Sequence, residues 1–170
     1  MYGYILFTYG AITYYAFRLP FWLEENSFQF LSIGFILSIL WLSFSVSSTL
    51  IRNWVDAPHI RGILLTAPTL IASGFALAYA CSDVTYLIFA SVLVGTGLAC
   101  SNAPSTQLVL RFAPKGMSAI SASLDITFAR MGGVVTVAVL AQWTFGHAVL
   151  GITLMSLAAF VCALQAVKNI

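Results

Sequence analysis

Val84–Arg111 reads VTYLIFASVLVGTGLACSNAPSTQLVLR and carries no charge before its final arginine. At about 1.5 Å of rise per residue, a helix of this run is about 42 Å long. That exceeds the roughly 30 Å hydrocarbon core of a bilayer. The run is too long and too continuous for the alternating strands of a membrane barrel. It is a membrane-crossing helix, and its length favours tilt or a bend.

Similar apolar runs recur on both sides of it. Polar breaks divide the chain into six segments: Tyr2–Leu19, Phe28–Ile51, Gly62–Ala80, Val84–Arg111, Met117–Trp143 and Gly146–Val167. The breaks hold turn or charge chemistry, as in Arg18-Leu19-Pro20 through Glu24-Glu25-Asn26, Arg52 to Arg61, Ser82-Asp83 and Phe112 to Gly116. Thr144 to His147 forms the last break. The fold class expected is all-α and integral to the membrane, a single six-helix bundle over residues 1–170 with no room for a soluble domain.

Composition points the same way. Of 170 residues, seven are Lys or Arg and five Asp or Glu, so 7% are charged and 61% are hydrophobic. A soluble domain has roughly 25% charged residues, and so few charges could not clothe a surface facing water on all sides. Disorder and nucleic-acid binding also need charge that is missing here. Cys81, Cys100 and Cys162 lie in apolar stretches without metal-type or redox spacing, and read as small core residues. Met1 opens directly onto Tyr2-Gly3-Tyr4-Ile5-Leu6-Phe7 with no basic leader. A fragment of a larger protein and a complete product both stay open.

Charge placement predicts sidedness. Arg52, Arg61, Arg111, Lys115 and Lys168 fall in the even-numbered loops and the C-terminus, against Arg18 alone on the other side. Glu24, Glu25 and Asp83 all lie on that basic-poor side. The positive-inside rule then puts both termini in the cytoplasm of a multi-pass plasma (inner) membrane protein.

Asp125 and Arg130 stand inside the fifth segment. With entry near Met117, they lie roughly 12 Å and 20 Å deep. Charges at that depth face protein or a wet cavity, because facing lipid costs at least a few kcal/mol each. Five residues turn about 140° around a helix, poor geometry for a pair within it, so their partners belong to other helices or to a ligand. Function would make Asp125 a protonatable coupling group and Arg130 a ligand or charge-pair residue. A buried structural network is the competing reading.

Small residues recur every fourth position at Ser91, Gly95, Ala99 and Ala103, continued by Gln107, and again at Ser121, Asp125, Ala129 and Gly133. Such rows permit close helix contact in lipid and read as packing seams. Pro104 cannot donate to the carbonyl of Cys100, so a kink is expected there, with Asn102, Ser105 and Thr106 at hand to satisfy freed groups. Asn102 and Gln107 are also candidates to line a polar path. Tyr4 and Tyr15 share a stripe with Thr8 and Ala11 on segment one, and are candidates for substrate contact or for the interfacial belt. Tyr9, nearer the middle, would want a hydrogen-bond partner and is also a candidate for substrate contact.

Enzyme readings fare badly. His59 and His147 are the only histidines and are expected on opposite sides of the membrane. No G-x-S-x-G elbow, HExxH or P-loop occurs, and no metal site or cofactor is implied. An aquaporin would need two Asn-Pro-Ala motifs, whereas the chain has one Asn-Ala-Pro.

The stretch from Leu93-Val94-Gly95-Thr96-Gly97-Leu98-Ala99 through Pro104, Ala113-Pro114-Lys115-Gly116-Met117-Ser118-Ala119 and Arg130-Met131-Gly132-Gly133 resembles the C-terminal half of a major facilitator superfamily transporter. It is most similar to multidrug:proton antiporters of the 14-helix type. The resemblance implies a half bundle of two inverted three-helix repeats that rocks against a second half around a midplane site. It implies a small-molecule substrate and coupled protons. The partner would be a missing N-terminal six-helix half or another copy of the chain. The expected function is proton-coupled export of a drug-like or small organic solute; a non-transporting membrane subunit is the alternative.

Overall fold

The computed structural model describes residues 1–28, 30–52, 54, 59–80 and 83–168, with backbone alone for Phe30, Leu31, Val167 and Lys168. Asn53, Val55, Asp56, Ala57, Pro58, Cys81 and Ser82, which figure in the sequence reading of the breaks and cysteines, lie outside the described residues. The described residues form six helices: α1 (Tyr2–Glu25), α2 (Phe30–Arg52), α3 (Ile60–Ala80), α4 (Val84–Arg111), α5 (Ser118–Leu140) and α6 (Phe145–Lys168). No strand occurs among the described residues.

Five of the six, α2 to α6, are long and apolar enough to cross a membrane. Helix α1 has 24 residues but is not among them. Tyr2, Tyr4, Tyr9, Tyr14 and Tyr15 dilute its apolar character, and Arg18, Glu24 and Glu25 fill its last turns. What α1 does instead is form the core: Tyr4, Ile5, Ile12, Tyr14, Tyr15, Leu19 and Leu23 are all buried.

Helix ends follow the local chemistry. Asp83 caps α4 by accepting from the Thr85 N–H at 3.4 Å. Pro20 does not end α1, as its position in the sequence suggests. The helix runs on to Glu25, where Arg18 Nη1 reaches Glu25 Oε1 at 3.1 Å two turns away, and the Asn26 side chain closes the last turn on the Trp22 carbonyl at 2.7 Å. Helix α5 stops three residues before the expected Trp143, in a turn closed by the Trp143 N–H on the Leu140 carbonyl at 3.0 Å. Between α4 and α5, Gly116 takes φ of 80°, a left-handed conformation that side chains disfavour. Helix α4 continues across Pro104, and Ser105 Oγ donates to the Asn102 carbonyl at 3.1 Å.

Helix α4 packs between α2 and α3, and α1 packs between α5 and α6, while α3 also meets α6. Contacts of α1 and α5 with α4 are lighter. Two glycines set the closest approaches. A Cβ on Gly132 of α5 would collide with the Leu6 backbone carbonyl of α1, and one on Gly95 of α4 with the Leu40 carbonyl and Ser43 of α2. Gly95, with buried Ser91 and Ala99, therefore lies on the seam read from the small-residue row.

The buried side chains form two clusters stacked along the bundle. The larger holds Tyr14, Tyr15, Leu19, Leu23, Phe75, Leu87 and Val94; the smaller holds Tyr4, Ile5, Leu64, Leu108, Ala159 and Ala163. Cys100 is a buried free thiol and Cys162 a half-buried one. Large apolar side chains stand exposed down α2 (Phe35, Leu42, Val46, Leu50), α5 (Ile126, Val134, Val139) and α6 (Leu150, Leu154, Leu157). Rows of this kind suit hydrocarbon as the surrounding solvent and would be a liability in water.

Candidate functional site

Because the pairs α1–α5 and α2–α4 meet only lightly across the bundle, a cleft is left between them. It encloses about 740 Å³ and is lined by Tyr9 and Thr13 of α1, Trp41 of α2, Asn102 and Thr106 of α4, and seven α5 residues from Ala122 to Val134. Asp125 and Arg130 are both among them. The volume is ample for a drug-sized ligand.

Asp125 is 8% exposed. Its Oδ2 accepts from Thr106 Oγ1 at 2.8 Å, which joins α4 to α5. Its other oxygen, Oδ1, is buried with no hydrogen-bond partner among the described residues. One acceptor of a buried carboxylate is thus open, in a place where an unsatisfied polar atom costs free energy. Small neighbours on the same face, Ala122 and Ala129, leave room around it. The row Ser121, Asp125, Ala129, Gly133 divides its work: Gly133 abuts Thr13 of α1, and Asp125 and Ala129 open on the cleft.

Arg130 is exposed and lines the same cleft. It does not neutralise Asp125: among the described residues the one ion pair is Arg18–Glu25. The cause is the helix itself, since five residues rotate about 140° and rise about 7.5 Å. At twelve residues from the start of α5, Arg130 stands about 18 Å along the helix, near its middle.

Asn102 joins the two charges in the cleft. Tyr9, the mid-segment tyrosine, joins them as well, whereas Gln107, Tyr4 and Tyr15 do not. Gln107 is exposed and stands outside this lining. Tyr4 is buried, and its hydroxyl donates to the Leu64 carbonyl at 3.2 Å. Tyr15 is buried, with its hydroxyl 3.1 Å from Ser91 Oγ and its ring edge-on to Phe75. Tyr9, Thr13, Thr106 and Trp41 complete the lining. For Thr13 and Trp41 no sequence signal exists: neither breaks the pattern of its helix, and only the packing of α1 and α2 brings them to the cleft.

A second cavity, of about 480 Å³, opens beside Met1, Tyr2, Leu108, Phe112 and Ser121, with no charged side chain among its described lining residues. No family model, curated protein or solved structure matches the chain.

Proposed function

We propose that the chain is a six-helix half of a secondary active transporter, of the major facilitator kind, which moves a small organic solute coupled to protons. The observation that carries this reading is the pair of charges, Asp125 and Arg130, which line one largely apolar cleft along apolar helices without pairing with each other. Ionisable groups held inside membrane segments are costly and mark solute or proton pathways. Asp125 would take up and release the coupling proton, and Arg130 and Asn102 would hold the solute.

Neighbour relations support the inverted-repeat architecture. Exchanging α1 with α4, α2 with α5 and α3 with α6 turns the α1–α5 interface into α4–α2 and the α3–α4 interface into α6–α1, both of which occur. The α3–α6 contact maps onto itself. Two three-helix repeats related in this way form a rocking half of a transporter. With Arg52, Arg61, Arg111, Lys115 and Lys168 inside, both termini are cytoplasmic. A second six-helix unit, from upstream in the same protein or from another copy, would close the cleft.

Reconstitution into liposomes tests the reading. Under an imposed pH gradient, solute flux and proton flux should rise together and fall in Asp125→Asn and Arg130→Ala. A stable assembly that carries neither flux, with a panel of anionic, cationic and zwitterionic solutes, identifies a non-transporting subunit instead.

A further inference from the structure

We infer that the cleft takes a zwitterionic solute, its ammonium group on Asp125 and its carboxylate on Arg130. This rests on the reading of the cleft as the substrate site and adds the chemical class. Two opposite charges share one cavity without pairing, and each has free capacity. Asp125 uses Oδ2 on Thr106 and keeps Oδ1 buried and without a partner among the described residues. Arg130 has five N–H donors and no hydrogen bond or ion pair to a described residue.

Single-charge ligands fit this arrangement poorly. A cation on Asp125 would leave the Arg130 guanidinium as an uncompensated like charge in a medium of low dielectric, and an anion on Arg130 would do the same to Asp125. A zwitterion satisfies both and enters with no net charge. The ring of Trp41, 51% exposed, offers an apolar wall for the carbon skeleton between the two ends. Asn102 adds a neutral donor and acceptor.

Spacing narrows the class further. A rise of about 7.5 Å and a rotation of about 140° set the two Cα atoms about 9 Å apart, with side chains diverging around the helix. Charges separated by several bonds, as in an ω-amino acid, span that gap. The adjacent charges of an α-amino acid lie much closer together than the two Cα atoms, so an ω-amino acid is the better match.

The test uses the purified chain in lipid nanodiscs and four matched probes: 6-aminohexanoate, its methyl ester, its N-acetyl derivative and the isomer 2-aminohexanoate. Titration calorimetry should show 6-aminohexanoate binding at least roughly tenfold tighter than the other three, the worth of one charge-assisted hydrogen bond. Asp125→Asn should abolish its advantage over the N-acetyl compound, and Arg130→Gln its advantage over the ester. Equal binding of the ester, of the N-acetyl compound or of the α-isomer overturns the inference, as does binding of none. The four-probe comparison on the unmutated chain stands even if a variant fails to fold. Flux in liposomes is read separately. Binding of 6-aminohexanoate without transport would sink the transporter reading alone, and Asp125-dependent flux of a purely cationic solute, with 6-aminohexanoate inert, would sink this one alone.

Discussion

Thr106 Oγ1 donates to Asp125 Oδ2 at 2.8 Å, the one hydrogen bond to this carboxylate among the described residues, and it joins α4 to α5 across the cleft. It fixes the orientation of the side chain and leaves Oδ1 as the open acceptor. A hydroxyl on one helix thereby decides which oxygen on the other is left without a partner.

Removing that hydroxyl should cost stability. Thr106→Val keeps the shape of the side chain and leaves a buried carboxylate with no donor, a loss of about 1.5–3 kcal/mol for a hydrogen bond to a charged group. Thr106→Ser restores a donor and should recover most of it. Unfolding of the three proteins in detergent measures the difference. Equal stability of the valine variant and the parent would mean that Asp125 draws its donor from elsewhere.

Asp125→Asn separates fold from function at the same position. The amide keeps an oxygen that can accept from Thr106 and removes a buried charge, so stability should stay within about 1 kcal/mol of the parent or rise. Affinity for ammonium-bearing ligands should fall by roughly tenfold or more. Thermal unfolding and calorimetry on one preparation read both quantities. Collapse of the fold with loss of binding would make Asp125 a structural residue.

Tyr15 offers the opposite case. Its hydroxyl lies 3.1 Å from Ser91 Oγ, away from the cleft, so the pair holds α1 to α4. A double-mutant cycle of Tyr15→Phe and Ser91→Ala should return a coupling near 0.6 kcal/mol, the usual scale for such bonds between membrane helices. Ligand affinity should be unchanged in either variant. Altered binding with no coupling would return Tyr15 to the site.

These cases show what was legible in the chain. Uncharged runs of about 20 residues mark helices almost unaided, because hydrocarbon demands internally bonded backbone over a set length. Val84–Arg111 appears with the bounds read from its pattern. Asp125, Arg130 and Asn102 stood out because each breaks an apolar background, and all three line one cleft. Orientation was not legible. Helices apolar on every side give no stripe to mark a core face, so nothing marked Trp41 as lining the cleft or Tyr4 and Tyr15 as holding helices together, whereas the mid-segment position of Tyr9 did point to the cleft it lines. The end of α1 was hidden for a related reason: Pro20 signals a stop, and the pairing of Arg18 with Glu25 that accompanies the longer helix needs that helix to exist first.

Gly132 and Gly95 permit the two interfaces that flank the cleft, and they test the packing directly. A methyl group on Gly132 would strike the Leu6 backbone carbonyl of α1, and one on Gly95 the Leu40 carbonyl of α2. Backbone cannot step aside as a side chain can, so each helix pair must separate. Overpacking of this kind costs about 1–3 kcal/mol, and Gly132→Ala and Gly95→Ala should each show it. Gly34 on α2 is the control, since nothing lies within 4 Å of the position its Cβ would take. There Gly34→Ala should be neutral or stabilising by up to about 1 kcal/mol through helix propensity. Widened interfaces should also change the cleft, so ligand affinity should drop in the first two variants and hold in the third. If all three alanines behave alike in unfolding measurements, α1–α5 and α2–α4 are not in the close contact described.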